Sequence, residues 1–135
     1  MASALRVVLA DDDAHITYVV AMRLESAGYT VSVARDGEEA LDLILHNPPS
    51  LVITDLQMPR MSGLELALKL REHPATANIP VIMLTARGYL ADEEQMGRTN
   101  VVRVLPKPFS AKEVLKLAAD VIAESSGRRD GAAAA

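Results

Sequence analysis

Residues 51–59 constrain the fold more than any other stretch of this chain. A short apolar run rich in β-branched residues ends abruptly on Asp55, and the loop that follows contains Pro59 and closes at Gly63. This pattern is typical of a buried parallel strand that ends at the carboxyl edge of a sheet, where open α/β folds keep their functional sites. We therefore expect the carboxylate of Asp55 to be central to the function.

The rest of the chain alternates between strand patterns and helix patterns. Strands are predicted over residues 5–10, 29–34, 51–54, 79–84 and 101–105, and helices over residues 14–27, 37–46, 63–72 and 91–98. A last helix begins with a capping box made by Ser110 and Glu113, and Asn100 is the expected stop of the helix before it. This alternation predicts an α/β domain in which a five-stranded parallel sheet is flanked by five helices.

The third predicted helix carries more leucine than one face can hold. Leu64, Ala67 and Leu68 mark its expected core face. Leu66 and Leu70 are then expected to lie off that face, either partly buried under a loop or exposed as a patch for a partner.

Length and composition exclude several classes of protein. The 135 residues suit one domain, expected over 5–123, with 124–135 as a disordered tail, a linker stub or an expression remnant. The lack of cysteine excludes disulfides, thiol catalysis and Cys-ligated zinc. A net charge of -4 and only four aromatic residues, three Tyr and one Phe, argue against direct nucleic-acid binding. Without a signal-like amino terminus or a membrane-length apolar run, we expect a cytoplasmic protein with no membrane contact.

Polar side chains stand where the predicted strands end. Asp11 and Asp12 follow the first strand, Asp55 the third, Thr85 the fourth and Lys107 the fifth. Because parallel strands end at one edge of a sheet, these groups should share a small cleft. Clustered carboxylates need a cation, and an all-oxygen set suits Mg²⁺. In such a cleft Asp55 could act as a nucleophile toward a phosphoryl group, which Lys107 and Thr85 would help to neutralise.

Each of these residues also has an ordinary structural explanation. The acidic run at 11–13 could be a solvated loop in which Asp13 caps a helix, and Asp55 could be a turn residue. Thr85 could simply end a strand, and Lys107 could be a surface charge on a proline-rich loop. A single site explains all four observations together, and we therefore prefer the functional interpretation.

The motifs resemble those of two-component response-regulator receiver domains. The resemblance rests on Asp11-Asp12, on Asp55 with Met58-Pro59 and Gly63, on Thr85-Ala86, and on Lys107-Pro108-Phe109, in that order along residues 5–123. It implies the flavodoxin-like strand order 2-1-3-4-5. It also implies that Asp55 accepts a phosphoryl group from a sensor histidine kinase or a phosphotransfer protein.

The resemblance assigns roles residue by residue. It implies that Mg²⁺ is bound directly by Asp12, Asp55 and the Gln57 carbonyl, with Asp11 acting mostly through water, and that Thr85 and Lys107 bind the phosphoryl group. The Lys107-Pro108 peptide bond is expected to be cis. Such a protein is a phosphoacceptor switch and not an enzyme that turns over external substrates.

The chain departs from the family pattern near Lys107. Receivers often carry Tyr or Phe three residues before this lysine, and here that position is Val104. We expect switching at the fourth helix, the fifth strand and the fifth helix to be weakened, or rerouted through the loop that contains Arg87 and Tyr89. Gln57 and Arg87 occupy positions that tune the lifetime of the phosphoryl group in the family.

Two other functions compete with this interpretation. A haloacid-dehalogenase-type phosphatase also uses an aspartyl nucleophile, but it needs a second acid two residues later, where this chain has Gln57. A receiver-like interaction module that works without phosphorylation ranks second. The sequence leaves open the output protein or output domain, and whether the active form is a homodimer.

Overall fold

The structure confirms the predicted sheet. The computed structural model describes residues 5–86 and 93–134. The strands are β1 (Arg6–Ala10), β2 (Thr30–Ala34), β3 (Leu51–Asp55), β4 (Val81–Thr85) and β5 (Val101–Pro106). The helices are α1 (Ala14–Ser26), α2 (Gly37–His46), α3 (Gly63–Glu72), α4 (Glu93–Met96) and α5 (Ala111–Ala134). All strand pairs are parallel, and the order is β2-β1-β3-β4-β5, as expected.

Both faces of the sheet are buried under helices. Successive residues of a strand point to opposite faces, so β1 contributes Val7 and Leu9 to one core and Val8 and Ala10 to the other. Helices α1 and α5 cover the first face, and α2 and α3 cover the second. Every residue of the central strands β3 and β4 is buried, which explains why both are apolar until their last one or two residues.

Several helix ends follow the local signals in the sequence. The side chain of Asp36 caps α2 by accepting a hydrogen bond from the Glu39 N–H. Ser110 and Glu113 form the predicted capping box, each side chain accepting a hydrogen bond from the other residue's N–H. Gly28 follows α1 with φ of +103°, a conformation that glycine adopts without steric cost.

The predicted core face of α3 was wrong for its leucines, although Ala67 is buried as expected. Leu66 and Leu70 are 0% and 2% exposed and pack in the core with α2, whereas Leu64 and Leu68 are only half-buried. Leucines at every second position place apolar side chains on more than one side of a helix. Packing of α3 against α2 and the sheet decided which side is buried, so there is no partner patch at Leu66 and Leu70.

Helix α4 ends two residues earlier than predicted, at Met96 and not at Arg98. It spans Glu93–Met96, within the predicted 91–98, and residues 91 and 92 lie outside the described residues. Asn100 is not its stop. The Thr99 hydroxyl donates to the Met96 carbonyl at 2.6 Å and accepts from the Val101 N–H at 3.1 Å, which turns the chain into β5.

Helix α5 continues to Ala134, past the predicted domain boundary at residue 123. The division into a domain over 5–123 and a tail over 124–135 stays a prediction. Although α5 has 24 residues, no helix in the described part of the chain is long and apolar enough to cross a membrane.

Candidate functional site

The carboxyl edge of the sheet brings three acids and a lysine together. Carboxylate oxygens of Asp11, Asp12 and Asp55 all lie within 4.8 Å of one another. The Lys107 Nζ lies 3.6 Å from Asp11 Oδ2 and 3.4 Å from Asp55 Oδ1. Three strands that are far apart in sequence therefore deliver these groups to one cluster, as their positions at strand ends predicted.

Asp11 is held at the end of β1 by its own backbone and by the turn that follows. Its N–H donates to the Ala34 carbonyl at 3.1 Å, and its Oδ1 accepts from the Asp13 N–H at 2.9 Å. The side chain is completely buried, yet its Oδ2 accepts no hydrogen bond from any described residue. A buried anionic oxygen of this kind is costly unless a cation or water satisfies it.

The loop after Asp55 folds back onto the end of β3. The Leu56 N–H donates to the Leu84 carbonyl at 2.8 Å, and the Leu56 carbonyl accepts from the Gly63 N–H at 2.8 Å. Gly63 must be glycine here, because a Cβ would overlap the Asp55 carbonyl oxygen and lie 2.9 Å from the Met83 Sδ. The start of α3 is thereby locked against the backbone of the candidate nucleophile.

An open groove of about 440 Å³ lies beside the acids. Asp12 and the exposed Gln57 line it together with residues of the β3–α3 loop and the start of α3, namely Leu56, Met58, Pro59, Ser62 and Leu64. This side of the cluster is therefore open to solvent. Gln57 stands at the groove and not among the buried acids.

Thr85 and Lys107 are joined through the backbone. The buried Thr85 ends β4, and its carbonyl accepts from the Lys107 N–H at 2.7 Å. The Lys107-Pro108 bond is cis, as expected. Val104 lies on β5 and is 47% exposed, away from the acids, and Arg87 lies outside the described residues.

Burial sets the protonation of the acids. Removal from water raises the pKa of Asp11 from its ordinary 3.8 to about 6, because the Asp13 N–H and Lys107 offset only part of that effect while the neighbouring carboxylates add to it. Desolvation likewise raises the pKa of Asp55, against the lowering effect of Lys107. Three carboxylates and one lysine thus leave negative charge that is incompletely neutralised.

The donor set fits a magnesium ion. It offers three carboxylates and, among the described residues of the cluster, no sulfur or imidazole ligand, and Mg²⁺ prefers oxygen and usually retains several waters. The unsatisfied Oδ2 of Asp11 and the exposure of Asp12 leave room for a hydrated ion. The residues present therefore match the group that the resemblance implies.

One contact beside the site could not be predicted from the sequence. Arg60, in the β3–α3 loop, donates from its Nη1 to the Asp36 Oδ2 at 2.8 Å. Asp36 also caps α2, and the two residues are 24 positions apart. In the sequence, Arg60 is only an arginine that follows Pro59, and Asp36 is only an acid near the end of the second predicted strand. Neither feature indicates that the two side chains meet.

Comparison with known proteins identifies the family. The family described as response regulator receiver domain matches residues 7–119. The chain belongs to the response-regulator receiver family. It is 38% identical over 110 residues to the DNA-binding dual master transcriptional regulator RpaA of Synechocystis, a match that covers 82% of this chain and 46% of RpaA. The Mycobacterium response regulator MprA is 37% identical over 111 residues, covering 82% of this chain and 47% of MprA.

The fold of this receiver also matches solved response regulators. The chemotaxis response regulator CheY4 of Vibrio cholerae has a TM-score of 0.81 and 29% identity, with 88% of this chain and 99% of that chain covered. The chain spans about half the length of the curated relatives named above and nearly the whole of CheY4. Receiver domains are signalling switches of two-component systems, in contrast to enzymes that turn over external substrates.

Proposed function

We propose that this receiver accepts a phosphoryl group on Asp55 from the phosphohistidine of a sensor histidine kinase or a phosphotransfer protein. The observation that carries the proposal is the position of the Lys107 Nζ, 3.4 Å from Asp55 and 3.6 Å from Asp11, beside the exposed Asp12. A structural ion pair needs only one carboxylate. A lysine shared by two buried acids, in a cluster whose third acid lines an open groove, suits a site that receives a further anion.

The transfer is a direct displacement at phosphorus. A carboxylate oxygen of Asp55 forms the new bond to phosphorus as the phosphorus–nitrogen bond of the donor breaks, and the imidazole nitrogen takes the electron pair. The product is an acyl phosphate on Asp55. The Lys107 ammonium and the Thr85 hydroxyl are proposed to bind phosphoryl oxygens, which neutralises charge and fixes the orientation of the group.

Magnesium is proposed as the cofactor. Asp12, Asp55 and the Gln57 carbonyl would hold it directly, and Asp11 would act through water. When bound, Mg²⁺ supplies the positive charge that allows carboxylates and an incoming phosphoryl group to share one cleft. The proposal is supported by the three acids within 4.8 Å of one another and by the unsatisfied Oδ2 of Asp11.

Treatment with acetyl phosphate and Mg²⁺ tests the proposal. We expect the protein to gain the mass of one phosphoryl group, and the Asp55→Asn variant to gain none, because an amide is a poor nucleophile. Asp42→Asn, at an exposed position of α2, is the matched control and should be labelled like the wild type. Label that persists in Asp55→Asn would identify another acceptor. A folded protein with no label and no Mg²⁺ response would favour an interaction module that works without phosphorylation.

The response to phosphorylation is proposed to be a shift between two conformations of the α4–β5–α5 region. Val104 is exposed on β5 and has no aromatic ring to move inward. We therefore expect hydrogen-exchange changes at residues 101–105 on phosphorylation to be smaller in the wild type than in Val104→Tyr. The alternative expectation was that switching is rerouted through the loop containing Arg87 and Tyr89. Both residues lie outside the part of the chain that the structure describes.

The control for this prediction uses the other edge of the sheet. Val33 is 40% exposed on β2, so Val33→Tyr adds the same ring far from β5. Val33→Tyr should leave the exchange changes at 101–105 as they are in the wild type. If the hydrogen-exchange changes at residues 101–105 are already as large in the wild type as in Val104→Tyr, the prediction that Val104 weakens coupling between Asp55 and β5 is wrong.

The output partner is proposed to be a separate protein or a domain of a longer chain. RpaA is named as a DNA-binding regulator, and this chain covers only 46% of it. The net charge of -4 does not favour direct contact between this domain and DNA. A cytoplasmic location and homodimerisation in the active state stay proposals that rest on family membership.

A further inference from the structure

Arg60 adopts a backbone conformation that is unfavourable for its residue type. Its φ is +68°, and it is the one non-glycine residue with positive φ in the described part of the chain. The Met61 N–H donates to the Pro59 carbonyl at 2.7 Å, which makes Arg60 the centre of a γ-turn. This form of γ-turn is rare and strained for a residue with a Cβ, so the surrounding contacts must stabilise it.

The side chain of Arg60 supplies one such contact. Its Nη1 donates to Oδ2 of Asp36 at 2.8 Å, while Oδ1 of the same carboxylate caps α2 at the Glu39 N–H. The Asp36 side chain is 13% exposed, and these two donors lower its pKa, the Glu39 N–H contributing most. The carboxylate is thus fixed on the first turn of α2, and the guanidinium binds to a rigid partner.

The neighbouring backbones are also in direct contact. A Cβ on Gly37 would overlap the Met61 carbonyl oxygen and lie 2.6 Å from the Met61 Cβ, so the loop packs closely against the start of α2. At its far end the loop is tied to Leu56 through the Gly63 N–H. Between these two anchors lies Gln57, the residue proposed to offer its carbonyl to Mg²⁺.

We propose that Asp36 and Arg60 form a positioning pair that holds the β3–α3 loop in the conformation required for Mg²⁺ binding. Neither residue is among the proposed ligands of the metal or of the phosphoryl group. Arg60 accepts a strained backbone so that its side chain can join the loop to α2, and the loop in turn presents Gln57 at the groove that Asp12 also lines. This inference rests on the proposed function, because it assigns to Asp36 and Arg60 a supporting role at the proposed metal site.

A Mg²⁺ titration followed by amide NMR, without any phosphodonor, tests the pair. Arg60→Asn suits the test because asparagine tolerates the left-handed conformation but cannot reach Asp36. Asp36→Asn keeps a helix-capping oxygen and removes the charge. We expect each variant to weaken Mg²⁺ binding by about three- to fivefold, the range expected for one partly exposed ion pair. The double variant should be no weaker than either single variant, because both remove the same contact.

Two further variants separate positioning from general stability. Arg60→Lys keeps the positive charge and should restore most of the Mg²⁺ affinity. Asp120→Asn removes a different exposed ion pair, with Lys116 on α5, and should leave Mg²⁺ binding unchanged. The unfolding temperatures of Arg60→Asn and the wild type should agree within a few degrees, because relief of backbone strain offsets loss of the pair.

The outcomes distinguish this inference from the proposed function. If the wild type binds Mg²⁺ and is phosphorylated, but both single variants bind Mg²⁺ equally well, the positioning pair is refuted and the proposed function stands. Additive losses in the double variant would also refute it, because the two residues would then act independently. If the wild type binds no Mg²⁺, both the proposed metal site and the pair are refuted.

Discussion

Replacing Asp11 with asparagine is expected to stabilise the metal-free protein at neutral pH. Burial raises the pKa of Asp11 from 3.8 to about 6, so ionising this group costs more in the native state than in the unfolded chain. One pKa unit corresponds to about 1.4 kcal/mol, and the expected gain in unfolding free energy is therefore at most about 3 kcal/mol. Asparagine keeps the side-chain oxygen that accepts a hydrogen bond from the Asp13 N–H, but it carries no charge.

The gain in unfolding free energy that Asp11→Asn brings should depend on pH. Between pH 3.8 and about 6 the native state binds more protons than the unfolded state, so the wild type loses stability as the pH rises through this window. The difference between Asp11→Asn and the wild type should therefore vanish below about pH 4 and be complete above about pH 6.5. Thermal unfolding in the presence of a chelator, at pH 4 and pH 7.5, measures both limits.

Asp13→Asn is the matched control for this prediction. Asp13 is exposed and caps α1 by accepting from the His15 and Ile16 N–H groups, a role that asparagine performs equally well. Its unfolding temperature should stay close to that of the wild type at both pH values. An Asp11→Asn variant that gains nothing at pH 7.5, or gains as much at pH 4, would show that burial of the carboxylate is not the cause.

The second large effect is expected from Gly63→Ala. The added Cβ would overlap the Asp55 carbonyl oxygen and approach the Met83 Sδ to 2.9 Å, and neither a strand backbone nor a buried methionine of β4 can move freely. Overpacking of this kind costs about 3 kcal/mol. Because the displaced atom belongs to the backbone of Asp55, Mg²⁺ binding should weaken together with stability. Urea unfolding and the Mg²⁺ titration measure the two effects.

Gly28→Ala provides the comparison. Gly28 has a positive φ, so alanine is strained there by about 1 kcal/mol, but an added Cβ has no neighbour within 4 Å among the described residues. Stability should fall modestly in Gly28→Ala, and Mg²⁺ binding should not change. If Gly63→Ala costs no more than Gly28→Ala and binds Mg²⁺ normally, the contact between Gly63 and the Asp55 carbonyl does not hold the site in place.

The sequence alone determined the sheet and which side chains stand at its carboxyl edge. A buried parallel strand must be apolar along its whole length, so an acid or a lysine directly after such a run marks where the strand ends. Asp11 and Asp55 carry this signal, Lys107 follows the partly exposed edge strand β5, and parallel strands in one sheet bring their ends together whatever the details of packing. Helix caps such as Ser110 with Glu113 are equally local and were also predictable.

The contacts between elements depend on how whole helices and strands pack. Leu66 and Leu70 are buried because α3 packs against α2, and a helix with leucines on two sides does not reveal which side that will be. The pair between Asp36 and Arg60 joins residues 24 positions apart, and it depends on how a loop folds back against a helix. Local patterns arise from backbone geometry within a few residues, whereas such contacts arise from the packing of whole elements, which no short stretch of sequence contains.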